Sequence, residues 1–559
     1  MTNAWRRTLG AGAAVFASLM PAAVAGASSV PSAPTAQPVP EPATPYVSGL
    51  ITTHGPVDSS FVEPFLFDPE GRVVLLHGVN AVYKRPPYEV YVDPGKPWNF
   101  DATDASEIAR LGFNVVRLGI LWEGIEPGTA APDDPAICSK GSPQDPGQWN
   151  QAVADRYLSR VAEVVNLLGQ YHVYTLLDMH QDVYSHIFRG EGAPAWAVCT
   201  NGIRPVPLPG RWSNNYADPA LDAAFANFWT NDVVGDLQGE YDRAWGAVAA
   251  YFAGNPWVVG YDPINEPFTT ALAPAPTASI DEELECFYTG SAHPGTIDGK
   301  PAVCPPTDPA EGVVPTILAA DPHHLIFREP TIYASHGLPN YVGAMDYPNL
   351  VLNFHDYCSF RSGVTGNPYN LSACLNQEDR TFLVRTSERG NLVSATQPHG
   401  LPLFMSEFGA TESPLLVDGV VRTASEALIG WMYWSWKYYD DPTGSSGEAL
   451  VDGRGHLRST AKALAQTYPQ AVAGSPQLVN FDPTSGDFYL NYTANPQITA
   501  PTLVWVSKHY YYPHGYCATT SAGTILSPTD ALVLEVENPS TAVPVVVTIT
   551  PGKCGRPKK

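Results

Sequence analysis

Positive charge is scarce in this sequence. Its 559 residues include 31 lysines and arginines against 55 aspartates and glutamates, and the formal net charge is −24. Phosphate backbones and anionic membrane surfaces repel a chain of this charge over long range. The composition therefore argues against nucleic acid as a partner.

Long apolar segments are also scarce. The apolar run near the amino terminus is shorter than the roughly 20 residues that a membrane-spanning helix needs, and no other uncharged stretch of that length occurs. Arg6 and Arg7 precede the run, and small residues at 23–27 follow it. This pattern predicts a signal peptide at residues 1–27, with a membrane anchor as the alternative. We therefore expect a secreted protein without a transmembrane segment, in which a proline-rich linker at 28–48 precedes the first domain.

No CxxC pair occurs among the eight cysteines, which argues against a zinc or thiol-redox centre. An even number of cysteines in an exported chain favours disulfides. Spacing alone does not fix the connectivity, and we expect four disulfides between sequence neighbours. The expected pairs are Cys138 with Cys199, Cys286 with Cys304, Cys358 with Cys374, and Cys517 with Cys554.

Eight short runs rich in apolar and β-branched residues indicate the fold. Each is nearly continuous in apolar residues, which is typical of strands buried on both faces of a parallel sheet. Helix-compatible segments lie between them, and the pattern predicts a (β/α)8 TIM barrel at 49–470. A doubly wound sheet is the alternative, but no GxGxxG turn supports it. The runs lie at 72–80, 114–120, 172–180, 257–267, 324–330, 349–357, 401–409 and 429–437.

The sequence pattern changes after about residue 470. Short alternating runs separated by proline, glycine, serine and asparagine follow, and they predict a β-sandwich at 471–559. Its aromatic residues, Trp505 and Tyr510 to Tyr512, either form an exposed stripe that faces carbohydrate or membrane, or pack in the interior.

Polar side chains follow most of the apolar runs, where the strands of a barrel open into the loops that carry active sites. Glu266 and Glu407 end the fourth and seventh runs, so we expect them to face each other across the barrel mouth. Two carboxyl groups about 5 to 5.5 Å apart are typical of a retaining glycosidase. The polar residues at run ends are Arg117, His180, Asp182, Asn265, Glu266, His355, Tyr357, Glu407 and Trp434.

The segments Asp262–Pro267 (DPINEP) and Ser406–Gly409 (SEFG) resemble the two catalytic motifs of glycoside hydrolase family 5, in clan A. The resemblance covers about 72–470 and implies that Glu266 is the general acid/base and Glu407 the nucleophile. Partial burial and the charge of Glu407 would favour the protonated form of Glu266.

The other polar residues take supporting roles in this interpretation. Arg117, His355 and Tyr357 would keep the nucleophile ionised. Asn265 would hydrogen-bond the sugar 2-hydroxyl, and Trp434 would stack on a sugar ring.

Three further segments resemble the endoglycoceramidases, which cut between an oligosaccharide and ceramide. They are 77–84 (HGVNAVYK), 178–182 (DMHQD) and 406–411 (SEFGAT). The likeness implies that Lys84, His180 and Asp182 bind the sugar, and that a glycosphingolipid is the substrate. An activator or a detergent-like lipid presenter is a candidate partner. Proposed groove residues for the lipid are Trp196, Trp212, Phe228 and Trp229.

Other interpretations remain open for single residues. His180 and His355 are alternatively core histidines or metal ligands, although no HxxxH or HExxH spacing supports a metal. Arg117 is alternatively an anchor of the barrel floor. Trp436 is expected to pack between the barrel and its helices, because it points away from the side that Trp434 faces.

Other functions are also open. A family 5 β-glucanase or cellulase is the main alternative, and a non-catalytic glycan- or lipid-binding protein is a remote one. The absence of a GxSxG turn disfavours a serine esterase. We expect no cofactor, no metal and a monomer.

Overall fold

The computed structural model describes residues 45–55, 64–128, 149–231, 236–268, 278–297, 300–340, 342–358, 371–389 and 392–554. The predicted signal peptide and most of the predicted linker lie outside these residues, as does Cys138. Among the described residues, no helix combines the length and the apolar composition that crossing a membrane requires.

Eight parallel strands close into a barrel, as predicted, and each contains part of one apolar run. Nearly every strand residue is buried, because the barrel interior is packed with side chains and helices cover the outside. In chain order the strands are β1 (His77–Ala81), β2 (Val115–Ile120), β3 (Tyr174–Met179), β4 (Val258–Asp262), β5 (Leu325–Arg328), β6 (Leu350–Asp356), β7 (Leu403–Gly409) and β8 (Gly430–Trp434).

Helices follow the strands, and local sequence fixes where several of them begin and end. Asp101 caps α1 by accepting a hydrogen bond from Thr103 N, and Gly112 ends this segment with a φ of 84°. The helices are α1 (Ala102–Arg110), α2 (Trp122–Ile125), α3 (Gln151–Gln170), α4 (Pro219–Thr230), α5 (Leu237–Phe252), α6 (Ala278–Thr289), α7 (Val313–Ala320), α8 (Leu371–Arg389), α9 (Pro414–Glu426) and α10 (Thr460–Leu464).

Antiparallel strands form the carboxy-terminal part of the chain in two sheets, as predicted for a sandwich. One sheet also contains Val73–Val74, which pairs with Tyr468–Val472 immediately before the barrel begins. The predicted domain boundary after residue 470 falls within the strand Tyr468–Val472. The strands are Tyr468–Val472, Gly474–Phe481, Phe488–Ala494, Thr502–Trp505, Tyr516–Thr520, Thr524–Ile525, Val533–Glu537 and Pro544–Pro551.

Three of the four sandwich aromatics pack in the interior instead of forming an exposed stripe, and Tyr510 is half-buried. Trp505 is 4% exposed, and a Cβ added to Gly112 would lie 2.4 Å from its ring. Tyr511 and Tyr512 are also buried and donate hydrogen bonds to backbone carbonyl oxygens. The sandwich is therefore seated on the amino-terminal end of the barrel.

Three of the expected disulfides are confirmed: Cys286–Cys304, Cys358–Cys374 and Cys517–Cys554. The fourth involves Cys138, which lies outside the described residues. Trp436 packs as expected, since it is 1% exposed and its Nε1 donates to Asp104 Oδ1 in α1 at 2.9 Å.

His77 lies where the barrel meets the sandwich, and we expect it to make the folded protein sensitive to acid. Its ring stacks between Trp431 and Tyr468 with centroid distances of 4.4 and 3.8 Å, and burial holds its pKa well below the usual value. The folded state therefore binds fewer protons than the unfolded state, so stability is lost as the pH falls below about 6.5, the ordinary pKa of histidine. We expect His77→Phe, which keeps an aromatic ring in the stack, to remove up to about 1.4 kcal/mol of that loss per pH unit. Urea unfolding at pH 7 and pH 5.5 measures the difference, with the exposed His399→Phe as control. Equal pH dependence in both variants would contradict this assignment.

Candidate active site

The two predicted catalytic carboxylates meet in the barrel mouth. Glu266 follows β4 and Glu407 lies in β7, and both line one cavity of about 810 Å³. A carboxylate oxygen of each and a ring nitrogen of His355 lie within 4.8 Å of one another. The separation is close to the spacing expected from the sequence.

Arg117 lies beneath this pair and organises it. It is fully buried in β2, and its Nη1 donates to Glu407 Oε1 at 2.5 Å. It therefore contacts the predicted nucleophile directly, as well as anchoring neighbouring strands. Its guanidinium also lies within 3.0 Å of the carboxylate oxygens of Asp178, Asp262 and Glu329.

Glu407 is surrounded by donors. Tyr357 OH donates to its Oε2 at 2.8 Å, and His355 Nδ1 lies 3.5 Å from the same oxygen. Burial raises the pKa of Glu407, the charges of His355 and Arg117 oppose that rise, and Glu266 adds to it. The cationic neighbours therefore favour the ionised form of Glu407, but the effect of burial is larger and the pKa is raised overall.

Glu266 is held in an unusual backbone conformation. Its φ of 42° lies in the left-handed region, which a residue with a side chain adopts at a cost and mainly at functional sites. The amide of Gln181 donates to its carbonyl oxygen at 3.2 Å, and its own N–H donates to Glu329 Oε2 at 2.9 Å. The carboxylate of Glu266 accepts from His355 Nδ1 at 2.8 Å.

His355 is shared between carboxylates and is not an isolated core histidine. Its Nε2 lies 3.0 Å from Glu329 Oε1, while Nδ1 faces Glu266 and Glu407. Burial alone would lower its pKa, but the charges of Glu329 and Glu407 raise that pKa well above the usual value. The ring is therefore held between carboxylates on both sides, whose charges favour its protonated form.

A second cluster forms one wall of the cavity and contains the other predicted sugar-binding residues. Lys84 Nζ donates to Asp182 Oδ2 at 2.5 Å and to Thr443 Oγ1 at 2.8 Å, and it lies 4.6 Å from the centre of the Trp434 ring. His180 stacks on Trp434 with a centroid distance of 5.4 Å. The structure thus brings Lys84, His180, Asp182 and Trp434 together.

The acidic neighbours of Lys84 also bear on metal binding. Its Nζ lies 3.3 Å from Glu191 Oε1 and 3.3 Å from Asp441 Oδ2. His180, Asp182 and Glu191 are close enough to hold a metal ion, but the ammonium group of Lys84 already provides the positive charge there.

Sequence reasoning missed Glu329, Glu191, Asp441 and Thr443. Glu329 directly follows β5, and its run (324–330, HLIFREP) ends in polar residues as the other runs do. The signal was therefore present for Glu329. Glu191, Asp441 and Thr443 lie in loops, where no strand pattern indicates their position.

The cavity is also lined by apolar side chains, and these correct the expected lipid groove. Of the proposed groove residues, Trp212 lines the cavity. The other three are wrong, because Trp196, Phe228 and Trp229 are only 3%, 2% and 1% exposed. They pack against one another and their neighbours in an aromatic layer above the barrel. The apolar residues that line the cavity include Trp212, Tyr216, Phe268, Ile332, Tyr333 and Leu416.

A closed (β/α)8 barrel with two facing carboxylates in its mouth is the arrangement of a retaining glycoside hydrolase site. The family model described as Cellulase (glycosyl hydrolase family 5) matches residues 94–440, and the model of the glycoside hydrolase family 5 C-terminal domain matches 466–550. The chain therefore belongs to glycoside hydrolase family 5.

Relatives within the family are similar over most of their length. Endoglycoceramidase I of Rhodococcus hoagii is 29% identical over 508 residues, which cover 88% of each chain. An endoglycoceramidase of Cyanea nozakii is 27% identical over 482 residues, covering 81% of this chain and 85% of the relative. The lactosyl-enzyme intermediate of endo-glycoceramidase II from Rhodococcus sp. superposes with a TM-score of 0.65 at 25% identity, covering 87% of this chain and 99% of that one.

Proposed function

We propose that this protein is a secreted retaining endo-glycosidase that hydrolyses the β-glycosidic bond between the glycan and the ceramide of glycosphingolipids. The observation that carries the proposal is the pair of carboxylates, Glu266 and Glu407, whose oxygens lie within 4.8 Å of each other in one cavity. An inverting enzyme needs about 6.5 to 9.5 Å between its carboxyl groups to admit a water molecule. The shorter spacing supports double displacement.

In the first step, Glu407 attacks the anomeric carbon and Glu266 gives its proton to the departing oxygen of ceramide. A covalent glycosyl-enzyme forms, and Glu266 then takes a proton from the water that hydrolyses it. The relative captured as a lactosyl-enzyme supports such an intermediate.

Asn265 is placed to assist this reaction. Its Oδ1 accepts from Arg117 and its Nδ2 donates to Gln181 O at 2.9 Å, which fixes the orientation of the amide. The second N–H of Nδ2 is then available for the sugar 2-hydroxyl, a contact that strengthens in the transition state.

A glycolipid substrate fits the lining of the cavity. Lys84, Asp182 and Trp434 offer hydrogen bonds and a flat ring to a sugar. The apolar lining that includes Trp212 and Tyr333 offers surface to a lipid. The names of the similar relatives support the same substrate class.

Secretion is supported by the predicted signal peptide and by the three disulfides of the described residues, since such bonds persist in oxidising compartments. Comparing the amount of protein and its amino-terminal sequence inside and outside expressing cells would test this part of the proposal. A full-length protein retained inside the cells would contradict it.

The decisive experiment is a product profile. The protein is incubated with a mixed panel of glycosphingolipids in detergent, and the products are identified by mass spectrometry, with Glu407→Gln as the control. We expect intact oligosaccharides and free ceramide from the wild type alone. Release of glucan fragments from a β-glucan, with no oligosaccharide from the lipids, would instead establish a β-glucanase. Inactivity on both substrates would favour a binding protein.

A further inference from the structure

Glu329 occupies a position that the proposed mechanism has not used. It directly follows β5, it is 2% exposed, and its two carboxylate oxygens face different partners. Oε2 accepts from the backbone N–H of Glu266 at 2.9 Å. Oε1 lies 3.0 Å from His355 Nε2, and the opposite nitrogen of that ring contacts Glu266 Oε1. Glu329 thus reaches Glu266 by two routes, through its backbone and through His355.

The backbone contact stabilises the strained conformation of Glu266. A residue with a positive φ persists only where its surroundings hold it, and a buried N–H without an acceptor costs free energy. Glu329 supplies that acceptor. Without it, the backbone at Glu266 would relax and its carboxyl group would move relative to the bond that it must protonate.

The route through His355 is electrostatic. Burial alone would raise the pKa of Glu329, but His355 and Arg117 lower that pKa below the usual value, so Glu329 is an anion. That anion in turn helps to keep His355 protonated against its burial. The charged or titratable groups around the ring are Glu266, Glu329, Glu407, Asp262, Arg117 and Tyr357.

We propose that Glu329 is a positioning residue for Glu266: one of its oxygens fixes the backbone of the acid/base, and the other keeps the His355 ring directed at the Glu266 carboxylate. This inference rests on the proposed function, because it presumes that Glu266 is the acid/base.

Asp262 provides a matched control. Arg117 donates to Asp262 Oδ2 and to Glu329 Oε1, in each case at 3.0 Å. Asn353 Nδ2 donates to the same two oxygens, at 2.9 and 3.3 Å. The hydrogen bond to the Glu266 N–H and the contact with His355 Nε2 belong to Glu329. A role limited to anchoring Arg117 would make Asp262→Asn and Glu329→Gln equivalent.

The test compares Glu329→Gln with Asp262→Asn in the full-length protein, using aryl lactosides with good and poor leaving groups across a range of pH. For Glu329→Gln we expect kcat to fall about 100-fold with poor leaving groups, while KM changes little. The charge of His355 lowers the pKa of Glu407, so its loss should move the acid limb of the pH profile of kcat/KM to higher pH. Asp262→Asn should leave both limbs in place. Combining Glu329→Gln with Glu266→Gln should add little to the loss from Glu266→Gln alone.

A second readout does not depend on activity. Nitrogen-15 NMR of the His355 ring should show an imidazolium at neutral pH in the wild type and in Asp262→Asn, and a neutral ring in Glu329→Gln. Glu329→Asp keeps the charge beside Arg117 and therefore the fold, but its shorter side chain cannot span both partners. We expect it to keep the ring protonated and to lose kcat.

Unchanged pH limbs, a protonated ring in Glu329→Gln, or equal losses in the two matched variants would overturn the role of Glu329. If the wild type hydrolyses no glycoside, the proposed function fails instead. The NMR spectra would still show whether Glu329 controls the charge of His355.

Discussion

Glu407→Gln is expected to abolish hydrolysis, lowering kcat by several powers of ten while the protein remains folded. The amide cannot form the covalent bond to the sugar on which double displacement depends. The fold should survive, because Arg117 keeps its contacts with Asp178, Asp262 and Glu329 when the charge of Glu407 is removed. Steady-state kinetics on an aryl lactoside and a thermal unfolding curve measure the two parts of this prediction.

Glu412→Gln is the natural control for this variant. Glu412 lies five residues further along the same segment, but it is exposed and pairs with Arg458 at the surface. It should keep near-normal kcat. If Glu407→Gln also kept near-normal activity, the assignment of the nucleophile would be wrong.

Glu266→Gln should show a loss that depends on the leaving group. An alkoxide such as that of ceramide needs a proton as it departs, so kcat/KM should fall roughly 10² to 10⁴-fold on glycolipid. The aryloxide of an activated aryl lactoside departs without protonation. The rate of the first step should therefore be nearly normal with that substrate. The measurement is a plot of log kcat/KM against the pKa of the leaving group, which should be steeper for the variant than for the wild type.

Glu448→Gln distinguishes acid catalysis from a general effect of removing a carboxyl group. Glu448 lines the same cavity and accepts from Ser445 at its rim. Its substitution should change kcat/KM by the same factor for every leaving group. Equal losses across leaving groups in Glu266→Gln itself would count against its role as the acid.

The barrel could be predicted because burial on both faces makes its strands nearly continuous in apolar residues. The catalytic pair could be predicted because each glutamate ends such a run within a recognisable motif. The close approach of the two glutamates also follows from the barrel, since the fourth and seventh strands face one another across the mouth.

The surroundings of the pair were harder to predict. Asp441 and Thr443 reach Lys84 from more than 350 residues away, and only the closed fold brings them together. Exposure was the other obstacle, since an aromatic residue in a long loop looks the same in sequence whether it lines a groove or fills an interior. Trp196 and Trp212 show both outcomes within one loop.

The position of Arg117 has a consequence for how such a site can diversify. Its four acidic partners come from β3, β4 and β7 and from the residue that follows β5, so one side chain joins half of the barrel wall to the reacting centre. A change there would disturb architecture and chemistry together. Adaptation to a different headgroup is therefore expected outside this network, at residues such as Trp212, which lines the cavity and packs on Tyr216.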